Sequence, residues 1–111
     1  MDFEEARQKA LDFRHQRNWE QFHNPKDLAI SLSLEAAELL ECFQWSGADL
    51  EAKARQPHMA EELADVMIYG IYLAQALDLD LPTAISAKID QNAAKYPVEK
   101  SCGSSRKYTE L

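Results

Sequence analysis

The order of apolar and polar positions along the chain reads as four helices. Phe3, Ala6, Ala10 and Phe13 recur at helical spacing. Asp2 precedes them and Glu5 follows it by three, the pattern of a capping box. The first helix is therefore expected to start at Asp2 and run to about Trp19. A second start lies in Asn24, Pro25 and Asp27: a side-chain cap, a ring that suits the first helical position, and an acid that suits the positive end of a helix. Leu28, Leu32, Leu39 and Phe43 mark one face of this helix, and Ser46-Gly47 is expected to end it. The polar stretch from Ala48 to His58, with Pro57, predicts a connection holding one helical turn. A third helix is expected from about His58 to Leu77, striped by Met59, Leu63, Val66, Gly70, Leu73 and Leu77. Asp80-Leu81-Pro82 opens a fourth that reaches about Tyr96, where Pro97 stops it. No segment alternates with the period of a strand. The expectation is an all-α, antiparallel four-helix bundle over residues 1–97. Residues 98–111 are expected as a tail, either mobile or folded over a partner or ligand. The second and third helices, longest and most apolar, are expected at the centre and at a subunit interface.

Composition narrows the function classes. A chain of 111 residues is one domain by length, and 46% apolar residues with three Gly and four Pro suit a compact helical protein. The net charge of -7 excludes a general nucleic-acid or membrane surface, since polyanions would be repelled. It permits one small anionic ligand if a cation stands between the charges. No run approaches the roughly 20 apolar residues of a membrane span. The start, Met1 to Glu5, lacks the basic and apolar regions of a leader. Cys42 and Cys102, two thiols without a disulfide framework, fit a reducing compartment. Together these predict a cytoplasmic protein.

Four acids fall where a helix should be apolar. Glu35 and Glu38 share a face, being three apart. Glu35 lies three after Leu32 and four before Leu39; Glu38 lies four after Leu34 and four before Cys42. Glu62 and Asp65 repeat the arrangement on the third helix, Glu62 three after Met59 and four before Val66. Unpaired charges are costly to bury, and four acids facing one another repel and take up protons. A hard divalent cation resolves the conflict: Mg²⁺ takes oxygen ligands and keeps several waters, leaving room for phosphate oxygens. Mn²⁺ could substitute. Two other readings stand beside this one. The acids could be solvated, as most such pairs are, on a non-enzymatic, dimerising bundle. A di-iron carboxylate bundle needs Glu-x-x-His on two helices. Glu20 and His23 have that spacing but sit at a helix break, with no second copy on the acid helices.

Glu35-Ala36-Ala37-Glu38, 23 intervening residues, and Glu62-Leu63-Ala64-Asp65 resemble the EXXE…EXXD signature of the MazG-like all-α nucleotide pyrophosphohydrolases. The runs from Asn18 to His23, Leu39 to Trp45, Glu61 to Tyr69, Lys88 to Asn92, Lys95 to Pro97 and Arg106 to Tyr108 are similar to the dCTP pyrophosphatase branch. The resemblance spans nearly the whole chain in order. It implies an Mg²⁺-dependent hydrolase that converts a (deoxy)nucleoside triphosphate, dCTP or a related one, to monophosphate and pyrophosphate. It also implies a homo-oligomer, dimer or tetramer, with sites between subunits. Glu35, Glu38, Glu62 and Asp65 match the family's metal ligands. Trp19, His23, Trp45 and Tyr69 match positions that hold base and sugar; Lys88, Asn92 and Tyr96 match positions near the phosphates or sugar. The chain departs from the branch at Ala10, where a His is frequent, and in its short connection between Trp45 and Glu62.

The residue types suit that chemistry. One to three cations would neutralise triphosphate and carboxylates together. Glu38 or Glu41, three apart on one face, is expected to take the proton of the attacking water. Trp19 and Trp45 could stack on a base or serve as ordinary core. Lys88, Lys95, Arg106 and Lys107 could meet the outer phosphates.

Overall fold

The computed structural model describes residues Met1–Leu111 and is helical throughout, with no strand. The chain divides into two compact units, Met1–Asp78 and Leu79–Leu111. Three helices build the first: α1 (Phe3–Gln16), α2 (Pro25–Glu41) and α3 (Gln56–Ala76). The second unit holds α4 (Leu81–Lys95) and the short α5 (Val98–Ser101).

Local chemistry sets the helix starts. The Asp2 carboxylate accepts from the Glu5 amide at 2.8 Å, and the Glu5 carboxylate accepts from the Asp2 amide at 3.1 Å, closing a capping box. Asn24 Oδ1 accepts from the Asp27 amide at 2.9 Å ahead of Pro25. Asp80 caps α4 by accepting from the Thr83 amide and hydroxyl.

Helix ends fall earlier than the sequence suggests. α1 stops at Gln16 rather than near Trp19, because Asn18 turns left-handed at φ 53°. Asn tolerates that region better than most residues. α2 stops at Glu41 rather than at Ser46-Gly47. From Cys42 the amides bond three residues back, to Leu39, Leu40 and Glu41 in turn, which tightens the last turn until Trp45 goes left-handed at φ 68° and Gly47 at φ 58°. The expected helical turn in the connection is the 3₁₀ turn Lys53–Arg55. Pro57 is not a loop residue: it lies in the first turn of α3, where its missing N–H costs nothing.

The core of the first unit is small. Leu28, at 1% exposure, packs with Ile71 and Tyr72, and Ala10, Leu11, Ile68, Tyr69 and Leu73 lean on them. The expected α3 stripe is therefore rotated, with Leu63 and Leu77 more than half exposed. From Leu63 to Leu73 the helix is apolar on nearly every side, so periodicity alone could not choose the buried face. α3 pairs chiefly with α2 and also lies against α1. The pairing of α2 and α3 is antiparallel: Leu28 early in α2 meets Ile71 and Tyr72 late in α3, whereas Glu35 in mid-α2 meets Glu62 and Asp65 near the start of α3. Both stretches advance about 10 Å, at roughly 1.5 Å per residue.

In the second unit, Tyr108 packs edge-on against Tyr96 with centroids 5.8 Å apart, and Lys95 Nζ lies 5.0 Å from the Tyr108 ring centroid. Residues 98–111 thus hold α5, a 3₁₀ turn at Tyr108–Glu110, and contacts with the end of α4. No helix is long and apolar enough to cross a membrane.

Candidate functional site

The antiparallel pairing of α2 and α3 brings acids from both helices to one level. Carboxylate oxygens of Glu35, Glu62 and Asp65 lie within 4.8 Å of one another. The Glu38 carboxylate joins them within hydrogen-bonding reach of both Glu35 and Glu62. Burial pushes Glu35 up to about 7, reinforced by the shared hydrogen bond with Glu38 and the charges of Glu38, Asp65 and Glu62. Glu62 is raised for the same first cause, burial, then by Glu38, against a lowering influence from His58. His58 Nε2 stands 3.3 Å from Glu62 Oε1. Oε2 of Glu35 and Oε2 of Glu62 are buried without a hydrogen-bond partner.

Two orphaned carboxylate oxygens beside a third acid are what a bound cation would satisfy. The donor set is all oxygen, which fits a hard divalent ion. Glu35, Glu62 and Asp65 could hold it directly, with Glu38 at the edge. Glu41 lies apart: it is the exposed last residue of α2, and its carbonyl accepts from Arg55 Nη1 at 3.5 Å.

The aromatic candidates fall in three places. Trp45 is 90% exposed in its left-handed conformation. Such a backbone costs a non-glycine residue about 1–2 kcal/mol. It borders a cavity of 160 Å³ with Cys42, Gln44, Asp49, Ala52 and Arg55. Trp19 packs edge-on against Phe13, centroids 5.6 Å apart, and keeps an exposed face. His23 and Tyr69 both border Tyr72, at 5.1 and 6.0 Å between centroids. Lys88, Asn92 and Tyr96 belong to the second unit. Lys88 Nζ donates to Gln91 Oε1 at 3.5 Å, the Asn92 carbonyl accepts from the Tyr96 amide at 2.8 Å, and Tyr96 caps α4.

Two contacts escaped sequence reasoning. Arg14 is buried and reaches His23, and His58 touches both Glu61 and Glu62. The signal for Arg14 was its place one turn after Ala10 on the apolar face of α1. That for His58 was its place four before Glu62, one helical turn away.

Residues 30–111 match the model of the MazG-like family, and that stretch includes α3, α4 and the larger part of α2. The chain belongs to the MazG-like family. The rat protein called dCTP pyrophosphatase 1 is 44% identical over 97% of this MazG-like chain, and the human protein of that name is 41% identical over the same share. The chain spans 66% of the length of each, about two thirds. Among solved structures, a pyrophosphatase from Archaeoglobus fulgidus aligns with a TM-score of 0.78 at 40% identity, covering 85% of this chain and 91% of that one. The all-helical MazG-like fold is common to both.

Proposed function

We propose that this MazG-like chain is an Mg²⁺-dependent nucleoside triphosphate pyrophosphohydrolase that cleaves dCTP, or a related (deoxy)nucleoside triphosphate, to monophosphate and pyrophosphate, clearing the nucleotide pool. The observation that carries this is the meeting of Glu35, Glu62 and Asp65 within 4.8 Å, with two buried oxygens unpartnered. The similarity to proteins named dCTP pyrophosphatase 1 supports the choice of substrate.

When bound, the cation supplies positive charge that admits phosphate oxygens among the acids and makes a water more acidic. Glu35, Glu62 and Asp65 hold its place, with Glu38 beside them. Glu38 takes the proton of the attacking water; its contact with the cluster favours it over Glu41. Trp45, exposed and held out on a left-handed turn, offers a stacking face to the base, and Trp19 offers another. His23 and Tyr69 contact base or sugar. Lys88, Asn92 and Tyr96 contact phosphates or sugar.

The same reading includes a homo-oligomer, dimer or tetramer, of antiparallel four-helix bundles joined through α2 and α3. Its support is apolar surface: Ile30 and Leu34 on α2, and Leu63 and Met67 on α3, are each 44–61% exposed at one-turn spacing. Sedimentation would give a mass at least twice that of the chain, whereas a monomer would refute the assembly. The same reading puts the protein in the cytoplasm, with two free thiols as its support.

A panel of nucleoside triphosphates with Mg²⁺, read for every phosphate product, tests the activity. Monophosphate and pyrophosphate in equal amounts, with dCTP or a close relative preferred, are expected. Diphosphate with orthophosphate, or no turnover of any triphosphate, would overturn the reading.

A further inference from the structure

Arg14 is the one buried residue of α1, with 7% of its surface exposed. A buried guanidinium needs partners, and it has two. Nη1 lies 3.3 Å from His23 Nδ1, and Cζ lies 4.8 Å from the Tyr72 ring centroid. The His23 ring in turn lies 5.1 Å from the Tyr72 ring at 31°. Tyr72 is pinned from the far end by its hydroxyl, which donates to the Ala10 carbonyl at 2.8 Å.

The chemistry of this contact has one solution. Arginine carries only donors and stays charged. His23 Nδ1 must therefore accept, and the proton of a neutral ring must sit on Nε2. A second ring proton would set donor against donor. The surroundings agree: burial first, then the Arg14 charge, lower the His23 pKa, and Glu20 opposes them. Arg14 from α1, Glu20 from the turn Glu20–Phe22, and Tyr72 from α3, with Tyr69 beside it, are the titratable groups around the ring.

We propose that Arg14 is a positioning residue for His23, locking the imidazole with its proton on Nε2 so that His23 reads a hydrogen-bond acceptor on the nucleotide. The proposal rests on the reading of His23 as a nucleotide contact, and it adds both the residue that sets the contact and the kind of atom contacted. An oxygen or an unprotonated ring nitrogen of the base, or a sugar oxygen, would meet the donor. A protonated amine would not.

The test uses the full chain with Arg14→Met, which keeps the apolar stem and removes every donor, and Arg14→Lys, which restores the charge and a donor group without the guanidinium fork. The ring ¹⁵N signals of His23 are followed against pH without nucleotide. Wild type is expected to show a hydrogen-bonded, unprotonated Nδ1 and a protonated Nε2 at neutral pH. Arg14→Met is expected to mix the tautomers and raise the midpoint of the His23 titration, and Arg14→Lys to recover part of the wild-type pattern. With dCTP and Mg²⁺, Arg14→Met is expected to raise KM about threefold to tenfold, the range of one hydrogen bond, with kcat little changed. In a His23→Ala background it should raise KM no further. Unchanged His23 signals in Arg14→Met, or an equal rise in KM with and without His23, would overturn the lock. If the signals move as expected but His23→Ala leaves KM unchanged, the lock stands and the reading of His23 as a nucleotide contact fails.

Discussion

Two polar clusters sit in the first unit, and they differ in whether the chain completes them. Around His23 the buried charge is met from within: the Arg14 guanidinium has His23 and the Tyr72 ring, and the Tyr72 hydroxyl has the Ala10 carbonyl. Around Glu35 it is not. Like charges gather, one carboxyl rises to about 7, and two buried oxygens have no partner. A self-satisfied cluster adds rigidity, and an unsatisfied one costs stability until something fills it. The difference is one of charge: no Lys or Arg pairs with the acids, whereas Arg14 itself supplies the charge beside His23.

The largest expected effect concerns the unfinished cluster. Glu38→Gln removes the proposed base and one charge, and pyrophosphate release should fall at least about 100-fold, the loss of several kcal/mol at the transition state. Circular dichroism should remain that of wild type. Full activity in this variant would remove Glu38 from the site. Next comes Leu28→Ala, which hollows the apolar contact shared with Ile71 and Tyr72. It should cost about 2–5 kcal/mol in chemical denaturation, with or without Mg²⁺. A cost that vanishes with the ion would blur the distinction between core and site.

A smaller effect separates the clusters by pH. Glu35 in the metal-free protein holds its proton up to about 7, against an ordinary value of 4.5. The folded state then binds the proton more tightly than the unfolded chain does. Its contribution to stability is full below about pH 4.5, declines as pH rises, and is gone above about pH 7. Metal-free protein should therefore lose stability across that window, and Glu35→Gln should flatten the loss; an unchanged slope in Glu35→Gln would contradict the assignment. The least effect belongs to the finished cluster. Tyr72→Phe deletes one hydrogen bond to Ala10 and should cost about 1 kcal/mol in denaturant unfolding, independent of Mg²⁺. A Tyr72→Phe variant whose loss Mg²⁺ restores would tie this cluster to the acids.

What could be read from sequence followed the range of the forces. Helix starts depend on a few adjacent residues, and Asp2 with Glu5, Asn24 with Pro25, and Asp80 showed them. Helix ends near Asn18 and Trp45 use left-handed residues other than glycine; Asn18 is a weaker signal than glycine, and Trp45 is none. The placing of Glu35, Glu62 and Asp65 together followed from acids inside apolar stripes on two paired helices. Arg14 stayed hidden because a basic residue on a helix is normally solvated, and only the tertiary contact with His23 and Tyr72 explains its burial. Nor could spacing divide Glu38 from Glu41; in the fold it is Glu38 that acts on Glu35 and Glu62.

Thermal unfolding of wild type and Glu35→Gln at pH 8, each with and without Mg²⁺, tests most directly whether the acids await a cation. Without the ion, Glu35→Gln should melt above wild type, because one of the crowded charges is gone. With it, wild type should gain the larger upward shift. Equal Mg²⁺ shifts in both proteins, or none in wild type, would contradict a metal site at Glu35, Glu62 and Asp65.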